Sequence, residues 1–297
     1  MFFFSADLED LCFKGDLTLH GEKKDIHGPH MRLLGDWSER PLDAKAIEDG
    51  LAGQHVGRKV VVLAQTSSTN DEAWRAAGDG AENGVVVFAE EQIAGRGRLG
   101  ASWHSAPRRN LLFSVLLSQV VPPARLCACA ACSVCLALRR LTSLNFRVKW
   151  PNDVVVADRK VAGVLVETRD ARCVVGIGVN VNATLEDFPL DLRKTATSVA
   201  IETGRFWDRT AFAREILIEF SRLYQSLTDG AACELQGLWR RLLAPLPERV
   251  VIEEQGERVT GRVLDVEIDG GLLVMLDRGG LRTFDGATAR IVASKLL

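Results

Sequence analysis

The chain has 297 residues, of which 47% are hydrophobic and 26% are charged, and its formal charge is −2 from 37 basic and 39 acidic side chains. These values are typical of a globular protein and exclude a disordered, collagen-like or coiled-coil chain. The length exceeds the usual size of one domain, roughly 100–150 residues, so two domains are expected to fit. Because the charge is close to zero, we expect neither nucleic acid nor an anionic membrane as a partner.

No apolar run approaches the roughly 18 residues that are needed to span a bilayer, so no membrane span is expected. The apolar start, residues 1–4, has no basic segment before it and soon meets Asp7 and Asp10, which is not typical of an export signal. Seven cysteines without regular spacing fit free thiols in a reducing compartment. We therefore expect a cytoplasmic protein.

Residues 1–40 show no sustained helical or strand period and are predicted to be an extension rather than a domain. Met31 precedes the first patterned segment closely, so residues 1–30 are expected to be dispensable. From residue 41 to residue 245, apolar patterning, capping residues and prolines define a series of elements. The predicted strands are 59–65, 85–90, 111–118, 147–150, 154–157, 161–168 and 172–179, and the predicted helices are 68–78, 122–141, 208–227 and 233–243.

Helices mixed with hairpins in this region favour an α+β core over a regular βαβ repeat. Pro245 and Pro247 then interrupt the chain, and the segment after them is strand-like, with turn residues at 255–256, 269–271 and 278–280. Residues 246–297 are therefore predicted to be a small all-β domain, separate from a larger domain that covers residues 41–245.

A loop rich in glycine and arginine follows the second predicted strand, and its residues 95–100 match the pattern G-x-G-x-x-G. A dinucleotide-binding fold is excluded, because residues 101–107 cannot open the helix which that motif requires. The backbone N–H groups of the loop and the guanidinium groups of Arg96 and Arg98 are suited to binding a phosphate. The alternative is a mobile surface loop with solvated arginines.

Three further motifs carry polar or small residues at strand ends. Residues 149–153 present an ammonium before a proline and an amide and a carboxylate after it. The alternative is a plain β-turn. Lys160 precedes small residues at a strand start, where it can face a ligand or simply end an exposed hairpin. Gly176 and Gly178 fall on one strand face, which suits a wall against a flat ligand or marks a bulge.

The order and spacing of these motifs, together with residues 67–70, resemble the biotin protein ligase family over about residues 41–297. The related lipoate ligases are expected to have two arginines and a glycine triplet where this chain has residues 95–98. The resemblance implies a class II synthetase-like catalytic domain, with a mixed β-sheet and flanking helices, followed by a small C-terminal SH3-like β-barrel. It also implies ATP-dependent activation of biotin to biotinyl-5′-AMP and transfer to a lysine of a biotin carboxyl carrier domain, such as that of acetyl-CoA carboxylase.

The resemblance further implies roles for particular side chains. The residues expected to bind biotin are Ser68, Thr69, Asn70, Gln92, Gly95, Arg96, Gly97, Arg98, Lys160, Gly163 and Gly178. The residues expected to bind ATP are Arg96, Arg98, Trp103, Asn152, Asp153 and Asn180, with Trp103 stacking on adenine. Lys160, Arg96, Arg98 and Lys149 are expected to act in catalysis, because joining two anions requires cationic donors. Mg²⁺ is expected with ATP, and no side chain is assigned to a metal.

Two alternatives to a biotin ligase remain: a lipoate or octanoate ligase of the same fold, and a non-enzymatic, biotin-sensing transcription regulator. The acidic N-terminal segment argues against the regulator, because it lacks the helical period and the basic character of a DNA-binding domain. The sequence allows a homodimer but does not determine the oligomeric state.

Two features depart from the family pattern. Arg108 and Arg109 stand where the family commonly has glycines, which puts the turn geometry there in question. Four cysteines, at positions 127, 129, 132 and 135, partly imitate an iron–sulfur run. On a helix they spread over about 200° of the surface and cannot converge on one metal, so they are predicted to be small core residues.

Overall fold

The computed structural model describes Trp37 and residues 39–117 and 121–295. The prediction that residues 1–30 are dispensable falls outside these residues. The helices are α1 Ala44–Gly50, α2 Thr69–Gly78, α3 Pro123–Thr142, α4 Val199–Thr203, α5 Arg209–Thr228 and α6 Ala232–Leu242, with a short 3₁₀ helix at Arg98–Gly100. The strands are β1 Val60–Leu63, β2 Val86–Ala89, β3 Leu111–Leu117, β4 Arg147–Lys149, β5 Asp153–Val156, β6 Arg159–Arg169, β7 Arg172–Val179, β8 Arg249–Glu254, β9 Glu257–Glu267, β10 Gly271–Leu276, β11 Leu281–Phe284 and β12 Ala289–Lys295.

The first seven strands form one sheet in the order β1-β2-β3-β7-β6-β5-β4. Strand β1 pairs with β2 in parallel, and the other neighbours pair antiparallel, so the sheet is mixed. The predicted α+β class is therefore confirmed. All seven residues of β3 are buried, because both faces of this central strand are covered by helices.

Alternate residues of the sheet pack into two separate apolar clusters. Phe88, Val115 and Val175 point into the main core, which contains the buried faces of α3 and α5. Leu116 and Val174 point the other way and pack on α2. This alternation is the period of two that a strand imposes, and it places α2 on the face of the sheet opposite α3 and α5.

A buried ion pair joins β2 to the beginning of α5. Arg209 Nη1 lies 2.7 Å from Glu90 Oε2, and the two side chains are 1% and 8% exposed. Arg209 also donates to the carbonyl oxygens of Asn110 and Arg40, while Glu90 Oε1 accepts from the Leu42 amide. Paired and hydrogen-bonded, these charges can remain inside the protein, and they hold the end of β2 in place just before Gln92.

Strands β8 to β12 form a second, fully antiparallel sheet in the order β11-β10-β9-β8-β12. It agrees with the predicted small all-β unit and with an SH3-like architecture, although β11 and β12 stay unpaired with each other in the described residues. The second sheet starts three residues after the predicted boundary at 246, and Arg125 of α3 forms an ion pair with its Asp269, at 2.7 Å. The division into domains at residues 245 and 246 stays a prediction.

Two short helices, α1 and α4, were missing from the sequence prediction. Helix α1 has seven residues and buries Ile47 alone, so it carries no apolar period to detect. Its visible signal is the cap, because the Asp43 carboxylate accepts from the Ala46 amide at 2.9 Å.

Among the helices of the described segments, none is long and apolar enough to cross a membrane.

The cysteine cluster on α3 belongs to the core, as predicted. Cys129, Cys132 and Cys135 are buried and Cys127 is partly buried. Burial raises the pKa of all four thiols, that of Cys135 to about 11. They are therefore neutral side chains at ordinary pH, packed between α3 and its neighbours.

Candidate active site

The motif residues come together around one cavity of about 230 Å³ on the first sheet. It is formed by the beginning of α2, the arginine loop (residues 95–103), the segment before β5, and the facing parts of β6 and β7. Of the residues predicted from the sequence, those that line it are Ser68, Thr69, Asn70, Gln92, Arg96, Gly97, Arg98, Trp103, Asn152, Asp153, Lys160, Gly163 and Gly178. Residues far apart in the chain thus share one site.

A hydrogen-bonded network of polar side chains, the polar network, lies at the beginning of α2. The Gln92 Oε1 atom accepts from the backbone amide and the hydroxyl of Thr69, at 2.7 and 3.0 Å. The Ser114 hydroxyl lies 2.8 Å from the Thr69 hydroxyl and 2.6 Å from Asn70 Oδ1. Ser68 occupies the predicted N-cap position but makes no side-chain cap bond. This arrangement leaves the buried amide nitrogen Asn70 Nδ2 without a hydrogen-bond partner among the described residues, so it can donate to a ligand.

The back of the cavity is a wall of glycine, because Gly163 of β6 is directly paired with Gly178 of β7. A Cβ atom at Gly178 would lie 2.5 Å from a ring carbon of Trp103, and one at Gly163 would lie 3.0 Å from the same ring. The indole thus packs directly on the wall. Its buried Nε1 atom has no hydrogen-bond partner in the described part of the chain.

Trp103 covers the two glycines in this structure. Its predicted stacking on adenine and the predicted contact of the glycines with biotin stay predictions. The cavity is smaller than common ligand pockets, which measure about 300–1,000 Å³, because this ring fills part of it. A flat ligand on the glycine wall therefore requires Trp103 to move.

Lys160 brings a positive charge to this cavity. Its Nζ atom lies 2.7 Å from Asp153 Oδ1 and 5.4 Å from the centroid of the Trp103 ring. The Lys160 backbone is held from both sides, by the Thr195 carbonyl and the Thr197 amide, each at 2.8 Å. The ammonium is thus positioned by a fixed strand and faces the ring and the carboxylate.

Arg96 connects the arginine loop to the first sheet. Its guanidinium donates two hydrogen bonds to the Asp71 carboxylate, at 2.8 and 2.7 Å, and one to Glu167 at 3.3 Å. The bond from Arg96 lowers the pKa of Asp71, and the same bond raises the pKa of Arg96. Both groups therefore stay charged at ordinary pH.

Arg98 points away from Arg96, toward the second sheet. It donates to Asn152 Oδ1 and to the Ala289 carbonyl, each at 3.0 Å, and also to the Gly286 carbonyl. Burial lowers the pKa of Arg98, although an arginine remains charged in proteins. In this structure the two loop arginines bind protein acceptors, so their predicted contacts with phosphate stay predictions.

Three predicted residues lie outside the lining of the cavity. Lys149 is exposed at the end of β4. Asn180 is buried behind β7, where its Nδ2 atom donates to the Thr197 carbonyl at 3.0 Å. Gly95 is buried in the loop, and its carbonyl accepts from the Trp103 amide at 2.9 Å. Strand alternation turns Lys149 to the surface, and of its motif only Asn152 and Asp153 line the cavity.

Ser114 and Arg290 belong to the site and were missing from the prediction, while Gly176 was predicted as part of a side-chain-free strand face but not assigned to biotin. Ser114 had a detectable signal, since it is a lone hydroxyl within the apolar strand β3. Gly176 lies against the side chain of Asn70, where a Cβ would collide with Oδ1. Arg290 of β12 pairs with Glu253 of β8 within the second sheet, and it lines the cavity because that sheet lies against the first.

The departure at Arg108 and Arg109 has a structural solution. Arg108 adopts a left-handed conformation with φ of 57°, the region that glycine enters at lowest cost. Arg109 lies 3.5 Å from Glu39 and 3.8 Å from Asp187, and its guanidinium carbon is 5.7 Å from the centroid of Phe206. This chain therefore forms the turn with a non-glycine residue in the left-handed region, and two carboxylates lie beside the Arg109 guanidinium.

Comparison with known proteins agrees with this site. Residues 62–182 match the model of the Biotin/lipoate A/B protein ligase family. The biotin–[acetyl-CoA-carboxylase] ligase of Mycobacterium tuberculosis is 34% identical over 251 residues, which cover 81% of this chain and 91% of that protein. The corresponding ligase of Paracoccus denitrificans is 30% identical, over 76% of this chain and 98% of its own length.

A solved structure gives the same result. The biotin protein ligase from Aquifex aeolicus in complex with biotin and ATP superposes with a TM-score of 0.69 at 28% identity, over 79% of this chain and 99% of that one. The fold and the site define a ligase of the mixed-sheet, synthetase-like class. This chain belongs to the biotin protein ligase family, within the broader biotin and lipoate ligases.

Proposed function

We propose that this protein activates biotin with ATP to biotinyl-5′-AMP and transfers the biotinyl group to a lysine of a biotin carboxyl carrier domain of the acetyl-CoA carboxylase type. One observation carries the proposal: in a chain of this family, Lys160 and the paired Gly163 and Gly178 line the same cavity. A flat ring can lie on a wall without side chains, while its carboxylate meets an ammonium.

In the first step, a carboxylate oxygen of biotin attacks the α-phosphorus of ATP, and the bond to pyrophosphate breaks. Two anions must approach each other, so cations that face the developing charge lower the barrier. Lys160 supplies such a charge. Mg²⁺ enters as part of the ATP substrate, and in the described residues no cluster of three His, Cys, Asp or Glu side chains is available to hold a separate ion.

The residues divide between the two substrates. The polar network at the beginning of α2, which includes the Asn70 Nδ2 donor without a partner in the described residues, is proposed to hold the ureido ring of biotin. Trp103, Asn152, Asp153 and Asn180 are proposed to border the nucleotide. Arg96 has to exchange its present protein partners, Asp71 and Glu167, before it reaches a phosphate.

In the second step, the neutral amine of the acceptor lysine attacks the acyl carbon, and AMP leaves. The mixed anhydride is readily hydrolysed, so the closed arginine loop is proposed to exclude water until the carrier arrives. We leave Lys149 out of both steps, because it is exposed and lies outside the cavity lining.

The proposal is tested by incubating the protein with ATP and biotin, lipoate or octanoate in separate reactions, followed by mass spectrometry of the acyl-adenylate. We expect biotinyl-AMP alone, and biotinylation of one lysine when a purified carrier domain is added. Lipoyl- or octanoyl-AMP as the main product would show that the protein is a lipoate or octanoate ligase instead. Absence of any adenylate, combined with retardation of DNA, would replace the enzyme by a regulator.

We infer a cytoplasmic location for this activity. The six described cysteines are free thiols, which suits a reducing compartment, and both ATP and carrier domains are used there.

A further inference from the structure

The arginine loop is fastened to two different parts of the molecule. Arg96 binds Asp71 and Glu167, which both belong to the unit built on the first sheet. Arg98 instead crosses to the turn of residues 285–289, which joins β11 to β12 in the second sheet. The two residues are separated by one glycine, so opposite ends of a short segment are tied to different sheets.

The acceptors around Arg98 suit a guanidinium and not a point charge. The Gly286 and Ala289 carbonyls share its Nη2 atom, and Asn152 Oδ1 accepts from Nη1. Asn152 is itself oriented, because its Nδ2 atom donates to the Val164 carbonyl at 2.9 Å. The planar fork places Nη1 on Asn152 and Nη2 on the two carbonyls of the turn, whereas the three donors of a lysine ammonium all leave one atom.

The turn that receives Arg98 is preformed and closely seated. The Asp285 carboxylate accepts from the Ala287 amide at 2.8 Å, and the Asp285 carbonyl accepts from the Ala289 amide at 2.9 Å. Gly286 packs against Pro151, where a Cβ would come within 2.6 Å of the proline Cβ. The turn therefore rests on the same segment that supplies Asn152, and any added atom at Gly286 moves its carbonyl.

We propose that Arg98 is a positioning residue that anchors the arginine loop to the second sheet, so that the C-terminal sheet sets the conformation of the loop over the cavity. The effect on catalysis rests on the proposed function, whereas the anchoring does not. The loop carries Trp103, which covers the glycine wall, so the anchor at Arg98 fixes the position of this ring over the cavity.

Hydrogen–deuterium exchange of the full-length, ligand-free protein tests this proposal. Three loop amides report on it, because Gly97, Ala101 and Trp103 donate to carbonyls within the loop at 2.7, 3.0 and 2.9 Å. In Arg98→Ala, and equally in Gly286→Ala, we expect these amides to exchange at least roughly tenfold faster, as for the loss of charge-assisted hydrogen bonds. The amides of β6 and β7 should keep the parental rate.

Arg125→Ala is the matched control, because it breaks the Arg125–Asp269 ion pair between α3 and the second sheet without touching the loop. We expect the parental loop exchange in this variant. Parental loop exchange in Gly286→Ala would overturn the proposal, and so would equal acceleration in Arg125→Ala, which would indicate general loosening of the second sheet.

Arg98→Lys keeps the charge and decides the case even if Gly286→Ala does not fold. We expect its loop amides to exchange hydrogen as fast as those of Arg98→Ala. Loop-amide exchange at the parental rate would show that the positive charge, and not the planar guanidinium, holds the loop, and would overturn the proposal. For catalysis, biotin-dependent exchange of pyrophosphate into ATP should fall by a similar factor in Arg98→Ala and Gly286→Ala and remain parental in Arg125→Ala. If no acid is activated while loop exchange behaves as expected, the proposed function fails and the anchor stands.

Discussion

Lys160 and the glycine wall are the two residue-scale features from which the chemistry of the site follows. The ammonium lies 2.7 Å from Asp153 and faces the ring of Trp103, while Gly163 and Gly178 remove the side chains opposite it. A carboxylate that enters the cavity can therefore exchange with Asp153 for the ammonium without a large movement of the backbone.

Lys160→Ala is expected to slow adenylation by about 10²–10³, because it removes a donor that strengthens as charge develops on the α-phosphoryl oxygens. Biotin binding should weaken less, by the roughly 1.5–3 kcal/mol of one charge-assisted hydrogen bond. Biotin-dependent exchange of labelled pyrophosphate into ATP isolates this step, and Lys45→Ala, an exposed lysine on α1, is the control. A parental exchange rate in Lys160→Ala would remove the residue from the mechanism.

Gly178→Ala is expected to lower the free energy of unfolding by about 1–3 kcal/mol, because the added Cβ pushes the Trp103 ring off the wall. The control, Gly78→Ala, lies at the end of α2 with open space around it and should instead be stabilised by roughly 0.5–1 kcal/mol. Urea denaturation measures both changes. Equal effects in the two variants would show that the ring does not need the glycine.

At the scale of elements, the site depends on how α2, β2 and α5 are held together. Helix α2 supplies Thr69 and Asn70 of the polar network, and β2 leads into Gln92. The buried pair of Glu90 and Arg209 fixes the end of β2 to the first turn of α5. Because both side chains are buried, water cannot replace either partner.

Arg209→Met is expected to destabilise the protein by about 3–5 kcal/mol, because it leaves the Glu90 carboxylate buried without its partner. Arg222→Met, which breaks an exposed pair with Glu219 on the same helix, should change stability by about 0–1 kcal/mol. The double variant Glu90→Met/Arg209→Met should recover much of the loss. If the single variant unfolds at the parental urea midpoint, the pair does not hold β2.

At the scale of the whole molecule, two sheets share one functional site. The first sheet supplies the cavity residues from α2, β6 and β7, and the second contributes Arg290 and the turn that binds Arg98. The first sheet thus contains the proposed biotin contacts, whereas the arginine loop depends on both.

Deleting residues 246–297 is therefore expected to abolish most adenylation while some biotin binding remains. The deletion removes the acceptors of Arg98 and uncovers the Trp150 and Pro151 surface on which Gly286 rests. Calorimetric titration with biotin and pyrophosphate exchange measure the two activities, after circular dichroism has confirmed a folded first sheet. Full adenylation without these residues would show that the second sheet has no part in the site.

The sequence by itself determined the order of the elements, the α+β class and most of the cavity residues. Apolar periods, prolines and turn residues are local signals, and they located β3, α3 and α5 to within a few residues. Lys160, Gly163 and Gly178 were assigned to the site because the order and spacing of the motifs resemble the biotin protein ligase family. Short elements such as α1 were missed, since one buried residue makes no period.

Only the tertiary structure decided which of these groups meet. Arg98 and Gly286 are 188 residues apart, and their contact exists because the second sheet docks on Pro151. Trp103 covers the glycine wall because the register of β6 and β7 places Gly163 opposite Gly178. Lys149 turns to the surface because alternate residues of a strand face opposite sides. Such pairings depend on register and docking between distant segments, which local patterns in a sequence do not encode.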